Sequence, residues 1–359
     1  MTFDEWIGEY FPELVGAVHF LPEVVEKDLH QSEFTAPPSH YIEKLATDAR
    51  IARGQELCTE LYPNLRKITA QYHVKPALLI AIWGVETNFG ENLGDYPVGS
   101  AIASLAFAGR VRRRPYFTTQ LSYFRTHIFP QQDILGKING SWAGASGHMQ
   151  FMPETYAKFA DPYGSVGSTD IWGSILDSLN SAANYLHTYG AKNTGTLIKY
   201  ANLETDIGYH YDGIGNACDA DGWAERGLHI DDASEGEKYF CVSPAGRHGP
   251  RVLLGEHSAA IYQYNHSIHY VLAVAKIAST IEDSPIDWSW DKTKTPLSSS
   301  EIAELQMILN HLGYDAGAAD GITGPDTVRA VMRLQTDLGK IADGYPDAEL
   351  LAIIRGKRP

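Results

Sequence analysis

The chain has 359 residues, 44% of them hydrophobic and 11% aromatic, and its formal net charge is −15. This length and apolar content suffice for two or three globular domains with true hydrophobic cores. The negative charge argues against nucleic acid as a partner, because nucleic-acid binders usually carry a basic surface.

Membrane spans and leader peptides need apolar runs that this sequence does not show. Its longest apolar run, ALLIAIWGV, is far shorter than the roughly 20 residues of a transmembrane helix. The N-terminal stretch MTFDEWIGEY has no basic region followed by an apolar one, so a signal peptide is either absent or already removed. We therefore predict no transmembrane segment.

The N-terminal and central parts of the chain have a mostly helical pattern, with short connections at Pro and Gly. In HYIEKLATDARIARGQELCTEL, Ile42, Leu45 and Ala49 recur at helical spacing, and Ile51 and Leu57 continue an apolar face. The pattern predicts one apolar helix face along this stretch.

The stretch PALLIAIWGVETNFG places a single acid among apolar and aromatic residues. Pro76 suits a helix start, where a missing N–H costs little, and Asn88 suits the helix end. Glu86 follows Ile82 by four residues and Trp83 by three, so it lies on the apolar stripe and is predicted to point inward. A carboxyl held against apolar surface is costly to ionise, so its pKa rises and it becomes a proton donor near neutral pH. A buried glutamate paired with an arginine, or capping the backbone, fits the same pattern.

The segment SWAGASGHMQFMPETYAKF combines small residues with polar ones. Its glycines and alanines allow a backbone to approach a ligand closely. Ser141, Ser146 and Gln150 offer hydrogen bonds that suit hydroxyl and acetamido groups. Pro153 then marks a helix start. As a bare pattern, small-residue turns before helices are common.

Residues 201–255 differ in texture, because Gly, Asp and His are frequent and periodicity is weak. We interpret them as loops with a small sheet, in which RVLLG is a short strand. Cys218 and Cys241 flank part of this segment, and both a disulfide and free thiols fit their spacing. Helical character returns in HSAAIYQYNHSIHYVLAVAKIASTI, where apolar residues from Ile261 to Leu272 can share one face.

The pattern breaks at residues 282–295, which are rich in Pro, Ser and charge and are interpreted as a linker. Beyond it, residues 296–359 predict a small independent module of three short helices. Asp347 is the expected N-cap of the third helix.

Four segments, AIWGVETNFG, SWAGASGHMQFMPETY, SAANYLHTYG and YQYNHSIHYVLAV, together resemble the lytic murein transglycosylase B family, in that order and at suitable separations. QSEFTAPPSHYI also resembles the family's N-terminal segment. The C-terminal module resembles a three-helix peptidoglycan-binding domain. The resemblance implies a mainly α protein, with a lysozyme-like catalytic domain over 1–281 that carries a small loop and β insertion, followed by the linker and the module.

Enzymes of this family cleave the β-1,4 bond between N-acetylmuramic acid and N-acetylglucosamine without water and leave a 1,6-anhydromuramyl end. By resemblance, Glu86 is the single catalytic residue, first as acid and then as base. No second carboxylate is required, because the substrate's own N-acetyl group can stabilise the developing cation. No cofactor is implied.

Further site residues are implied by their match to the family's motifs. The residues that match its glycan groove and active-site wall are Ser141, Gln150, Tyr185, Tyr264, Asn265 and Tyr270. Arg112 and Arg113, in RVRRRPYF, match an arginine pair that meets the stem peptide, whose carboxylates suit guanidinium groups. A solvated basic face is the other interpretation of that run. The implied partners are glycan strands and stem peptides, and the implied protein is a periplasmic monomer.

One departure from the family concerns metal. Some members carry an acidic, EF-hand-like calcium loop, whereas this chain has DPYGSVGSTDIW with only Asp161 and Asp170. Calcium needs several oxygen ligands, so we predict no metal site.

Two other functions remain open from the sequence. A hydrolytic muramidase of goose-lysozyme type would use a second carboxylate, Glu91 or Asp95, to activate water. A non-catalytic wall-binding scaffold would use only the module and an inert groove.

Overall fold

The structure is a computed structural model that describes residues 1–30, 38–131, 138–164, 167–192, 194–195, 197–200, 207–286, 290 and 296–356. The other residues include most of the N-terminal family segment named above and much of the predicted linker. The described part of the chain is mostly helical, as the sequence predicts.

The α-helices in chain order are α1 (Phe3–Tyr10), α2 (Pro22–Leu29), α3 (Pro38–Leu45), α4 (Asp48–Glu60), α5 (Tyr62–Tyr72), α6 (Pro76–Thr87), α7 (Val98–Ala108), α8 (Arg114–Tyr123), α9 (Pro153–Phe159), α10 (Ile175–Thr188), α11 (Ala220–Glu225), α12 (Ala259–Tyr264), α13 (Ile268–Ile281), α14 (Ser299–His311), α15 (Pro325–Asp337) and α16 (Ala348–Arg355). A π-helical turn, Phe124–Ile128, continues α8. Short 3₁₀ turns lie at Pro12–Leu14, Tyr209–Tyr211, Ile214–Asn216, Gly246–His248 and Glu256–Ser258. The strands are β1 (Tyr96–Pro97), β2 (Asn139–Gly140), β3 (Ile198–Tyr200), β4 (Tyr239–Val242) and β5 (Val252–Gly255).

The chain divides into two compact units. The first contains Met1–Ser32 and Asp48–Asn193, and the second contains Glu33–Thr47 and Thr194–Pro359. This division by contacts differs from the predicted domain boundaries, because α3 belongs to the second unit and residues 194–281 belong with the C-terminal module.

The core of the first unit is built on α6 and α7. Every residue from Ala77 to Gly84 in α6 is buried, as is every residue from Val98 to Ala106 in α7. Neither helix has a polar face, so both must lie inside. Helix α4 packs on α6, and α2 and α8 pack on α7. The bounds of α6 confirm Pro76 as its start, and Asn88 follows it as a left-handed cap with φ 49°.

The second unit contains a small sheet, of which β4 and β5 lie within residues 201–255, as the sequence predicts, and β3 lies just before them. The sheet is antiparallel with strand order β3-β5-β4, and β5 is the predicted RVLLG strand. Its β4 and β5 residues pack with Trp223 of α11 in a local apolar core. This segment is therefore more ordered than the loops that the sequence suggests. Cys218 and Cys241 are not joined by a disulfide, and burial raises the pKa of Cys241 to about 12.

The C-terminal module has the three predicted helices, α14, α15 and α16, around one apolar core. Asp347 caps α16, since its carboxylate accepts the N–H of Leu350 at 2.7 Å. Ser298 and Glu301 form a capping box at the start of α14. These local signals explain why this part of the sequence is readable without tertiary information.

Two predicted helical faces are interrupted in the structure. The first breaks between α3 and α4, where the two helices belong to different units. The second breaks between Tyr264 and Ile268, because Ser267 starts a new helix by accepting the N–H of Tyr270. Apolar spacing persists across each break, so spacing alone does not reveal it.

Candidate active site

Glu86 lies in the last turn of α6, at the edge of the first unit's core. Trp83 and Thr87 on either side of it are 1% exposed, whereas Glu86 is partly buried. The apolar stripe predicted an inward position. The helix ends one residue later, at Thr87, and Glu86 is partly exposed in a turn whose other side is buried.

The loop that contains Ser141 and Gln150 is attached to the same helical turn through His148. The hydroxyl of Thr87 donates to the backbone oxygen of His148 at 2.8 Å, and the indole N–H of Trp83 donates to His148 Nδ1 at 3.2 Å. Gly90 completes the contact, since a Cβ there would lie 2.6 Å from His148 Cε1. The turn that carries Glu86 and the loop are therefore fixed to each other.

Sequence reasoning missed His148, although it stands inside a quoted motif. His148 is 9% exposed, and burial lowers its pKa despite an opposing effect of Asp170. Because Nδ1 accepts the indole proton, the neutral ring carries its own proton on Nε2. No local spacing identifies this residue, since its partner Trp83 is 65 positions away.

The small residues of the loop serve its own tight fold. A Cβ on Gly144 would lie 2.3 Å from Ile102 Cγ1, and one on Gly147 would lie 2.6 Å from the backbone oxygen of Ile171. Both glycines also have positive φ, at 89° and 75°. Their absence of side chains is thus required by neighbouring protein atoms, which is a different reason from the ligand approach that the sequence suggested.

Two hydrogen bonds hold the Gln150 side-chain amide in one orientation. Its Nε2 donates to the backbone oxygens of Leu93 at 3.2 Å and Gly147 at 3.1 Å. Two carbonyl partners require the NH₂ group on that side, which fixes the amide assignment. Within the described residues its Oε1 accepts no hydrogen bond, so this oxygen can accept one from a ligand.

The two serines of the loop differ in what they can offer a ligand. Ser141 is partly buried, and its hydroxyl oxygen accepts the N–H of Ala145 at 3.1 Å while its own proton remains to be donated. Ser146 is 1% exposed and accepts the indole N–H of Trp172 at 3.0 Å. Ser141 is therefore the better placed of the two for a ligand.

Tyr185 lies in α10 and is mostly buried among aromatic rings. Its ring centroid is 4.9 Å from that of Phe159 in an edge-to-face arrangement and 4.7 Å from that of Tyr189. A third ring, Phe151, lies 6.2 Å away at the end of the loop just described. Burial raises the pKa of the Tyr185 hydroxyl, so it stays protonated at physiological pH.

The arginine run before α8 divides into different roles. Arg113 forms an ion pair with Asp28, a residue of α2 that is fully buried. Asp28 also accepts the backbone N–H of Arg110 at 2.7 Å. The Arg113 guanidinium lies 6.0 Å from the ring centroid of Trp142, the neighbour of Ser141. Arg112, in contrast, is exposed.

The remaining predicted residues belong to the second unit. Tyr264 is partly buried at the end of α12, and Asn265 is exposed in the connection to α13. Tyr270 is 2% exposed in the first turn of α13. The contacts of the first unit thus link the turn of Glu86 with the loop of Ser141 and Gln150, while Tyr264, Asn265 and Tyr270 belong to the second unit.

The acids of DPYGSVGSTDIW are already used by protein donors. Asp161 Oδ2 accepts the hydroxyl of Tyr72 at 2.5 Å and the amide of Asn180 at 2.6 Å. Asp170 Oδ1 accepts the backbone N–H groups of Trp172 and Gly173 at 3.0 and 2.8 Å. Among the described residues no group of three or more His, Cys, Asp or Glu side chains could hold a metal ion.

The two acids that a hydrolytic mechanism would need are both at the surface. Glu91 and Asp95 are exposed, and Glu91 accepts a hydrogen bond from the side chain of Asn88, the cap of α6. Neither has the partly buried setting of Glu86.

Comparison with known proteins agrees with this arrangement. The sequence profile of the transglycosylase SLT domain matches residues 6–279, and that of a peptidoglycan binding domain matches residues 298–354. The chain belongs to the transglycosylase SLT family. The predicted recognition and the predicted fold class, with a lysozyme-like catalytic region and a peptidoglycan-binding domain, are thereby confirmed.

Individual relatives support the same family. The membrane-bound lytic murein transglycosylase B of Escherichia coli K12 is 27% identical over 254 residues, which cover 67% of this chain and 66% of that relative. The chain thus aligns with slightly less than two thirds of that curated relative. The crystal structure of SltB3 from Pseudomonas aeruginosa in complex with NAG-anhNAM-pentapeptide is 31% identical and covers 99% of this chain and 100% of its own, with a TM-score of 0.91. A second SltB3 complex, with NAG-NAM-pentapeptide, has a TM-score of 0.92 at 31% identity and the same coverage.

Proposed function

We propose that this protein is a lytic transglycosylase that cleaves the β-1,4 bond between N-acetylmuramic acid and N-acetylglucosamine in peptidoglycan and leaves 1,6-anhydromuramyl ends. The main support is the position of Glu86, a partly buried carboxyl in the turn to which the loop of Ser141 and Gln150 is fixed. The family and the ligands of the SltB3 crystal structures point to the same substrate.

In the proposed mechanism Glu86 acts twice. Its carboxyl first gives a proton to the glycosidic oxygen as the bond from that oxygen to C1 of the muramyl residue breaks. The resulting carboxylate then takes the proton of the C6 hydroxyl as O6 bonds to C1. The proton returns to Glu86, no water is consumed, and the enzyme is regenerated.

The other groups of the site hold the sugar. The unused Oε1 of Gln150 can accept a hydroxyl or acetamido N–H, and the Ser141 hydroxyl can donate to a sugar oxygen. We assign Tyr185, Tyr264, Asn265 and Tyr270 to the same glycan site on the strength of the sequence resemblance. Interactions with the acetamido group matter most while it stabilises positive charge at C1.

Arg112 is the better candidate for the stem peptide, and Arg113 the better candidate for positioning. Arg112 is exposed, whereas Arg113 is paired with buried Asp28 and lies beside Trp142. A guanidinium that already has a carboxylate partner has less to offer a second one.

We further propose that the enzyme is a monomer that works in the periplasm, where its substrate lies. In the part of the chain that the structure describes, no helix is both long and apolar enough to cross a membrane. We retain residues 1–281, 282–295 and 296–359 as catalytic domain, linker and wall-binding module.

Mass spectrometry of digested peptidoglycan tests the activity. We expect 1,6-anhydromuramyl products from the wild type and none from Glu86→Gln, since the amide has nearly the same shape but no proton to give. Glu91→Gln and Asp95→Asn are matched controls and should retain the anhydro products.

Other outcomes would select another function. Reducing-end products that disappear in Glu91→Gln or Asp95→Asn would identify a hydrolytic muramidase. Binding to peptidoglycan without any cleavage would identify a scaffold. Substantial anhydro product from folded Glu86→Gln would remove Glu86 from the mechanism.

A further inference from the structure

A groove of about 510 Å³ lies inside the second unit, and none of the residues assigned above lines it. One side is formed by residues 208–210, which lie between β3 and β4, and the other by the C-terminal module. The module contributes Arg329, Arg333 and Met332 of α15, together with Ile341. The groove is therefore composite, because neither the module nor the catalytic region contains it alone.

The module side of the groove combines positive charge with apolar surface. Arg329 and Arg333 are four residues apart on α15, so their side chains lie on the same helix face. Both are exposed, and so is Ile341 at 48%, while Met332 is partly buried. In a chain with a net charge of −15, such a basic and apolar surface suits a small ligand that has both a carboxylate and methyl groups.

The two arginines keep capacity for a ligand. Arg333 lies 5.8 Å from the ring centroid of Tyr314, and within the described residues it forms no ion pair. Stacking on a ring leaves the edge of a guanidinium available for a carboxylate. Arg329 pairs with Asp326, but both side chains are more than half exposed, and pairs of this kind are weak in water.

Arg251 fixes the side of the groove that residues 208–210 form. This residue is 5% exposed, and its guanidinium donates to the backbone oxygens of Ile207 at 2.7 Å and Gly208 at 3.1 Å. The same guanidinium lies 4.5 Å from the ring centroid of Tyr209, which lines the groove. Its charge is matched by Asp212, at 2.6 Å.

Arg247 attaches the module to the same segment. Its backbone N–H donates to Asp343 Oδ2 at 3.1 Å, and its guanidinium lies 3.5 Å from Asp347 Oδ2. Gly246 allows this approach, since a Cβ there would lie 2.7 Å from Asp343 Oδ2. Asp343 directly follows Ala342, which lines the groove. Residues 246–251 thus hold both sides, and a groove with fixed sides binds without the cost of ordering them.

We propose that this groove binds the carboxylate end of a peptidoglycan stem peptide. Arg333 and Arg329 bind the carboxylate, and Met332 and Ile341 contact the methyl groups of its alanine residues. Tyr209 and His210 form the opposite side, against which the peptide lies. The inference rests on peptidoglycan as the substrate and adds a second contact with it, apart from Glu86.

Calorimetric titration of the full-length protein with a free stem pentapeptide tests the proposal, since this ligand has no glycosidic bond that the enzyme could cleave. We expect Arg333→Ala to weaken binding roughly tenfold or more, as the loss of a charge-assisted hydrogen bond predicts. Arg333→Lys should retain part of the affinity, because it keeps the charge and loses the paired geometry. Arg355→Ala, an exposed arginine elsewhere in the module, is the matched control.

Two further arms locate the peptide. Amidation of its C-terminal carboxylate should weaken binding as much as Arg333→Ala does. The effect of Arg333→Ala should be the same in an Arg112→Ala background, where the stem-peptide contact proposed for Arg112 is absent. The proposal is overturned if the protein with an intact groove binds no pentapeptide or if Arg333→Ala binds it normally. It is also overturned if Arg112→Ala by itself abolishes all binding. Failure of the proposed cleavage is a separate result, because it is read from the products of the wild-type enzyme.

Discussion

Replacing Asp28 by alanine should strongly destabilise the first unit. The Asp28 side chain is 0% exposed and that of Arg113 is 33% exposed, so the variant leaves a half-buried guanidinium without its carboxylate. It also removes the acceptor of the Arg110 backbone N–H. Breaking a buried pair costs about 3 to 5 kcal/mol, and solvent access to Arg113 favours the lower end, about 3 kcal/mol.

This loss should appear as a fall in melting temperature. For a unit of this size each kcal/mol corresponds to about 2 to 4 °C, so we expect a decrease of roughly 6 to 12 °C. Thermal unfolding followed by calorimetry or circular dichroism measures it. Asp28→Asn should fall less, because one of the two acceptor oxygens is retained.

Glu13→Ala is the control for removal of an acid from an ion pair. Glu13 lies 3.8 Å from Arg125, and its side chain is 56% exposed. Exposed pairs contribute about 0 to 1 kcal/mol, so this variant should melt within a few degrees of the wild type. The reasoning is refuted if Asp28→Ala melts no earlier than Glu13→Ala.

Two other predictions concern His148 and Asn265. Burial lowers the pKa of His148, so its imidazole takes up a proton at a higher pH in the unfolded chain than in the folded chain. The stability that neutral His148 contributes is complete above its unfolded pKa of 6.5, and it is lost as the pH falls from there to the lower folded pKa. Between pH 7.5 and about 5, the melting temperature should therefore fall more steeply with pH for the wild type than for His148→Gln. Equal slopes would contradict this. Asn265 is exposed, so Asn265→Ala should lower kcat with little change in KM or in melting temperature. Early melting with normal turnover would instead give Asn265 a structural role.

Local sequence signals determined much of the fold. Pro76 and Asn88 mark the two ends of α6, as the sequence predicts. Asp347 was readable as an N-cap because a cap bonds to an N–H only three residues away. Such features depend on neighbours within one or two helical turns, which the sequence contains directly.

The sequence also determined the family and the main candidate residue of the site. Glu86 stood out as a lone acid in an apolar run, and four motifs in a fixed order indicated the transglycosylases. The elevated pKa of the Glu86 carboxyl remains a prediction. The inward position was only partly right, since the helix end and the surrounding surface set the exposure of its last turn.

Only the tertiary structure revealed the pairings between distant residues. Trp83 donates a hydrogen bond to His148. Asp28 pairs with Arg113, which is 85 positions away, and this pairing makes Arg113 different from its exposed neighbour Arg112. Each partner alone reads as an ordinary aromatic or charged residue. The energy of such a pair depends on burial and on distances of a few ångströms, which exist only once the chain has folded and brought the two segments together.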